Sequence, residues 1–217
     1  MSNAAVLDRE TSIAPAAIPD RPELSGPHRY RLAVADYHRL GEAGVINEDS
    51  RVELIEGDLI AMPRIGSQHA AHLDCAVQKI FQRTGSQAIV RVQSPIQLDQ
   101  RSEPEPDLAL LRPRADFYAQ SHPTPEDILL LIEVSDSTLD YDRDIKMPLY
   151  AKAGIPEVWL LDLVNRRLAI YRRPSPDGYR EVLYPALDES IAPVLLSGLA
   201  IEVGQLLITA PPASPDS

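Results

Sequence analysis

Apolar positions along this chain change period several times, and each change marks an element. Residues 33–41 place Val34, Tyr37 and Leu40 at helical spacing and end on Gly41, which predicts a short amphipathic helix. Arg51 to Ile55 and Asp58 to Met62 read as two strands around Glu56-Gly57, a hairpin signal. Within the first strand Glu53 faces opposite to Val52 and Leu54. Ser67 to Arg83 is the strongest helical pattern, with Leu73, Ala76, Val77 and Ile80 on one stripe and Gly85 after it. Ala88 to Val92 and Pro95 to Leu98 read as two strands or one bent strand. Leu108 to Leu111 and Leu129 to Val134 are continuous apolar runs of strand length, the form taken by central strands covered on both faces.

Between those two runs, Arg112 to Asp127 is a proline-containing connection of a length at which loops often serve as lids. Beyond Asp142 a helix is predicted in which Lys146, Leu149, Tyr150 and Ala153 share one face, provided that Pro148 sits in a first turn. Gly154 and Pro156 mark its stop. Glu157 to Leu161 reads as another buried strand, with Trp159 in the core. Arg167 to Tyr171 and Tyr179 to Tyr184 form a hairpin around Pro176-Asp177-Gly178, and Leu195 to Val203 adds a final edge. The fold class expected is therefore α/β, a mixed central β-sheet flanked by helices with an N-terminal hairpin extension. Residues 1–27 and 210–217, rich in Ala, Pro and Ser without periodicity, are expected to be flexible tails around a domain at 28–209.

Charges interrupt this pattern at a few places, and there they carry chemistry. Asp107 opens one apolar strand, Glu133 nearly closes another, and Lys146 lies on an apolar helix face. Charges attached to buried elements are costly unless paired or bound to a metal. If the two strands pair, Asp107 and Glu133 converge, and carboxylate oxygens are the hard ligands that Mg²⁺ prefers. A lysine pointing back at them can orient water and offset charge developing on a phosphate. The plainer readings are a turn aspartate, an edge glutamate and a snorkelling lysine in an ordinary ion pair. His69 and His72 are three apart on one helix face, a spacing that can ligate a metal, although the usual outcome is one surface and one packing histidine. Glu103 and Glu105 flank Asp107 and read as a solvated loop. Cys75 reads as a small buried side chain.

The segments EPDLALL, LLIEVSDST and YDRDIKMPLYAKAGIPEVWLLD, with RVELIEGDLIAM and Gln68-His69 upstream, resemble the Uma2 family. That family is described as restriction endonucleases, and the resemblance runs in order from about Tyr30 to Tyr171. It implies a restriction-endonuclease-like PD-(D/E)XK core and Mg²⁺-dependent hydrolysis of phosphodiester bonds, with Mn²⁺ as a substitute. Asp107 is then the motif aspartate and Glu133 the second acid. Ser135 occupies the position where the wider superfamily often has lysine, and the resemblance moves that lysine to Lys146. It also brings Glu53 near the site as a further metal ligand or supporting group, and His69 to its mouth. The expected catalytic set is thus Asp107, Glu133, Lys146, Glu53 and His69, and the expected metal set Asp107, Glu133 and Glu53.

Composition narrows the alternatives. The chain has 217 residues, 44% of them hydrophobic and 24% charged, which suits one domain with a sizeable core. A single cysteine excludes an internal disulfide framework and a cysteine-based zinc cluster. No signal peptide and no membrane span is readable, so a cytoplasmic location is expected. The formal charge of −11 argues against a general nucleic-acid coat, because phosphate affinity comes largely from Lys and Arg. A local basic patch (Arg64, Lys79, Arg83 and Arg91) and an oligomer, a homodimer in the first place, or a separate targeting partner are the expected remedies, with nucleic acid, DNA in the first place, as substrate. No G-x-S-x-G, P-loop or G-x-G-x-x-G motif occurs, and aromatics at 5% do not supply a sugar platform. The rival reading is a nuclease fold without catalysis, working as a binding or regulatory module, which Ser135 and the acidic charge both favour.

Overall fold

A six-stranded mixed sheet carries the architecture, and its central strands at Leu108–Leu111, Ile128–Ser135 and Glu157–Asp162 are buried on both faces. The computed structural model describes residues 27, 29–47 and 50–208. Apart from Pro27 the tails expected at 1–27 and 210–217 lie outside the described residues, as do Glu48 and Asp49. The described residues from Arg31 onward belong to one folded unit. The sheet is built from β3 (Ile89–Val92), β4 (Leu108–Leu111), β5 (Ile128–Ser135), β6 (Glu157–Asp162), β7 (Arg167–Ser175) and β8 (Gly178–Leu183), in that spatial order. Neighbours are antiparallel except β5 and β6, which run parallel. The crossover between those two is helix α3, which spans 139–152. Upstream lie α1 (Val34–Glu42), the hairpin β1 (Val52–Ile55) with β2 (Asp58–Ala61), and α2 (Ser67–Thr84). The short pair β9 (Ser190–Ile191) and β10 (Ile201–Glu202) follows the main sheet.

Alternation along the strands sorts side chains into two cores. Leu108, Leu110, Ile132, Val134, Trp159, Leu161, Leu168 and Ile170 pack with Leu73, Ala76 and Ile80 of α2. Ala109, Leu111, Leu131, Val158, Leu160, Ala169 and Tyr171 pack instead with Met147, Leu149 and Tyr150 of α3. Asp107 and Glu133 have the parity of the second set, so both belong to the face covered by α3.

Helix α3 is not uniform. A turn at Leu139–Tyr141 leads into a π-helical stretch at Asp142–Lys146 and then an α segment at Met147–Lys152. The Met147 N–H donates to the Asp142 carbonyl, the wider spacing of a π turn. Pro148 falls in the first turn of the α segment, where its missing N–H costs least. Lys146, Leu149 and Tyr150 are buried on one face as the spacing predicts.

Three expectations are corrected. Pro95 to Leu98 is not a strand: Ile96 and Leu98 donate to the carbonyls of Pro104 and Ser102, so this segment folds back on its own loop rather than joining the sheet. Leu195 to Val203 adds no edge to the main sheet. Leu196, Leu199 and Ile201 instead cover the α2 side of the core, and only Ile201–Glu202 pairs, with β9. Cys75 is not buried; it is partly exposed, with Sγ donating to the Gln205 carbonyl at 3.3 Å. No helix among the described residues is long and apolar enough to cross a membrane.

Candidate active site

The β4–β5 register brings the two strand carboxylates abreast. Leu108 pairs with Ile132, so Asp107, one residue before, stands beside Glu133, one residue after. The Asp107 N–H donates to Glu133 Oε2 at 3.3 Å, and the Val134 N–H donates to Asp107 Oδ2 at 2.9 Å. Lys146 reaches the same place from α3. Its Nζ donates to Glu53 Oε1 at 3.0 Å and to Glu133 Oε1 at 3.4 Å. Glu53 comes from β1, and its Oε1 also accepts the Glu105 N–H at 3.3 Å. Tyr150, one turn beyond Lys146, donates its hydroxyl to Glu133 Oε1 at 2.6 Å. His69, in the first turn of α2, sets Nε2 2.9 Å from Asp107 Oδ1, and Gln93 Nε2 donates to that oxygen at 3.2 Å. All five residues predicted for catalysis therefore meet.

They line a cleft of about 120 Å³ together with Arg51, Arg64, Glu105, Ser137, Thr138 and Asp142. Glu53, Glu133 and Lys146 are each no more than 3% exposed, so these are interior charges. Such charges persist only when well paired and hydrogen-bonded. Burial pushes the Glu133 carboxyl up to about 8, against the pull of Lys146 and with a push from Asp107. For Asp107 burial also raises the pKa, but the His69 bond, the Val134 N–H and Lys146 more than cancel it and leave the carboxyl below its usual range. His69 is raised by its hydrogen bond to Asp107, working against its own burial. Burial alone would lower Lys146; Glu133, Glu53 and Asp142 outweigh it, so the ammonium keeps its charge.

The residue chemistry fits a hard divalent cation. Glu53, Asp107 and Glu133 offer oxygen donors of the kind Mg²⁺ takes, although among the described residues they are not a trio whose ligand atoms all lie within 4.8 Å of one another. Glu53 Oε2 is buried without a hydrogen-bond partner, and such an orphan in a native fold calls for an ion or a water. Asp107 Oδ2 and Glu133 Oε2 each accept one backbone N–H and keep acceptor capacity.

Sequence reasoning missed several participants. Ser135, at the position where the superfamily often has lysine, donates to Asp142 Oδ2 at 2.7 Å, and Thr138 donates to the same oxygen at 2.6 Å. Asp142 thus ties the end of β5 to the π-helical stretch that carries Lys146. Tyr150 shares the predicted stripe with Lys146, and that is its only signal in the sequence. The loop carboxylates are not solvated: Glu103 is buried and Glu105 lines the cleft. Burial and the neighbouring Glu53 raise the Glu105 pKa. His69 and His72 part company, since His72 is buried with Nδ1 at 2.8 Å from the Gln68 carbonyl. The expected basic patch does not gather here. Arg64 lines the cleft, but Arg83 spends its guanidinium on Ala200, Lys79 and Gln205, and Arg91 lies by Phe117 and Tyr118.

Comparison with known proteins agrees with this architecture. The sequence matches the Uma2 family, described as "Putative restriction endonuclease", over residues 34–204. A crystal structure described as "a putative nuclease", from Anabaena variabilis ATCC 29413, superposes with a TM-score of 0.62 at 17% identity, covering 81% of this chain and 97% of the other. At that identity the likeness concerns the fold. No curated protein matches the chain.

Proposed function

The chain belongs to the Uma2 family, and accordingly we propose that it is a metal-dependent endonuclease that hydrolyses phosphodiester bonds of nucleic acid, DNA in the first place. The observation that carries this reading is the convergence of Asp107, Glu133 and Lys146 in one buried cluster on the floor of a cleft. Asp107, Glu133 and Glu53 are the residues that would hold Mg²⁺ or Mn²⁺. When bound, such an ion supplies Lewis acidity toward the scissile phosphate and toward water.

The protein's own side chains do the rest. Lys146 presents a charged ammonium that offsets negative charge building on the phosphate oxygens, in a site where low solvent content strengthens the interaction. Glu53 holds that ammonium in position, and the Asp142 contacts with Ser135 and Thr138 fix the helical stretch from which it projects. Tyr150 and Lys146 both hold Glu133 Oε1, which leaves Oε2 directed toward Asp107. His69 helps to keep the Asp107 carboxylate ionised, and His69 and Gln93 together orient it. His69, partly open to solvent at the cleft, can pass a proton to the departing oxygen. Arg51 and Arg64 line the cleft and can meet the backbone of the incoming strand.

The test is cleavage of plasmid and single-stranded DNA with Mg²⁺ or Mn²⁺, comparing wild type with Asp107→Ala. The proposal expects metal-dependent nicking by wild type and none above background by the variant. Equal background from both would replace it with the non-catalytic binding module, which the Ser135 position favours.

A further inference from the structure

A second cluster of ligating side chains lies outside the carboxylate cleft. We propose that His38, Glu103 and His122 form a separate site for a late first-row divalent cation of the Zn²⁺ class. Each comes from a different segment: His38 from α1, Glu103 from the loop before Asp107, and His122 from the connection between β4 and β5. One ligand atom from each lies within 4.8 Å of the other two, and among the described residues this is the group of three His, Cys, Asp or Glu side chains that meets so closely. His38 Nε2 is 2.8 Å from Glu103 Oε1, and the two imidazole rings stand edge to face at 6.1 Å.

Glu103 supplies the observation that points to a ligand. It is 2% exposed, and its Oε2 is buried with no hydrogen-bond partner. A half-satisfied buried carboxylate is costly, and coordination of a cation removes that cost. The backbone that carries it is also held, because the Glu103 N–H donates to the Leu54 carbonyl at 2.7 Å in an isolated bridge to β1. Two imidazole nitrogens and one carboxylate oxygen form a borderline donor set. Such a set suits Zn²⁺, Co²⁺ or Ni²⁺ and is a poor match for Mg²⁺, which prefers oxygen alone. His38 and His122 border a surface cleft with Tyr37 and Asn47, which gives an ion an entry path and leaves outer positions for water. The consequence is a clip. An ion here would join the connection 112–127 to α1 and to the loop that delivers Glu105 and Asp107. None of this depends on the chain being a nuclease.

The experiment is a calorimetric Zn²⁺ titration of the full chain in excess Mg²⁺, using wild type, His122→Ala and Asp107→Ala, with thermal unfolding followed in parallel. His122→Ala leaves the His38–Glu103 pair untouched, so it keeps the metal-free fold; matching metal-free unfolding curves check this. The expected result is one Zn²⁺ per wild-type chain, a rise in Tm on binding, unchanged affinity in Asp107→Ala, and affinity at least about tenfold weaker in His122→Ala. Wild-type affinity in His122→Ala, no binding by wild type, or loss of binding in Asp107→Ala would each overturn the assignment. The last of these would put the ion in the carboxylate cleft instead.

Discussion

Lys146 holds together acidic side chains that would otherwise repel one another, and its surroundings make it sensitive to the smallest change. Replacing it with methionine keeps the packing volume but leaves Glu53, only 3% exposed, without its cationic partner. Breaking a buried pair from one side typically costs about 3 kcal/mol, so Lys146→Met should lower denaturant stability by that order. In a cleavage assay it should lose roughly 100-fold or more in kcat, because the lost interaction is one made with the transition state. Glu133 gives the pH signature. Its folded carboxyl titrates at about 8, above its ordinary 4.5. Across that interval the unfolded chain releases a proton that the folded one keeps, so stability falls as pH rises. The contribution is intact below about 4.5 and lost by about 8. Metal-free Glu133→Gln removes this component, and its Tm relative to wild type should climb between about pH 5 and 8. A flat difference across that range would show that Glu133 is not held protonated.

Elements differ in how far the sequence discloses them. The strands at 108–111 and 128–135 are legible because both faces are buried, and a fully apolar run can satisfy both faces only in a central position. Strand alternation then puts Glu133 beside Asp107 without any knowledge of the other helices. The lysine face is legible too, despite the π-helical stretch, since Lys146, Leu149 and Tyr150 lie beyond most of the irregularity. What stays hidden depends on partners far away in the chain. Glu103 reads as solvated because nothing local reveals His38, 65 residues earlier. Pro95 to Leu98 has the right apolar alternation for a strand, but its backbone N–H groups donate to the carbonyls of Ser102, Pro104 and Pro123. Nothing local distinguishes Asp142 from the acids around it, although it joins β5 to α3. At this scale the prediction concerns Asp142→Ala. Loss of the Ser135 and Thr138 bonds leaves two buried or half-buried hydroxyls unpaired, at about 1–3 kcal/mol. The π-helical stretch loosens, and kcat should fall while KM holds. A variant with wild-type kcat would separate Asp142 from the positioning of Lys146.

The whole molecule carries a formal charge of −11, and among the described residues the Lys and Arg side chains lining the cleft are Arg51, Arg64 and Lys146. Arg51 and Arg64 line the cleft, Arg51 also donating to the Pro63 carbonyl, whereas Arg83 and Arg91 are engaged away from it. Each phosphate neutralised contributes about −0.9 to the slope of log affinity against log salt. Two cleft arginines therefore predict a shallow slope of about −2 for DNA binding. A much steeper dependence would mean that further basic groups take part. Everything proposed for catalysis requires the buried carboxylates to make a cation site beside Lys146. Calorimetric titration of the metal-free chain with Mg²⁺, in wild type and Asp107→Ala, decides whether they do. One ion bound per wild-type chain, with binding lost in the variant, is the expected result; Mg²⁺ binding of equal strength in both, or none in wild type, would contradict it.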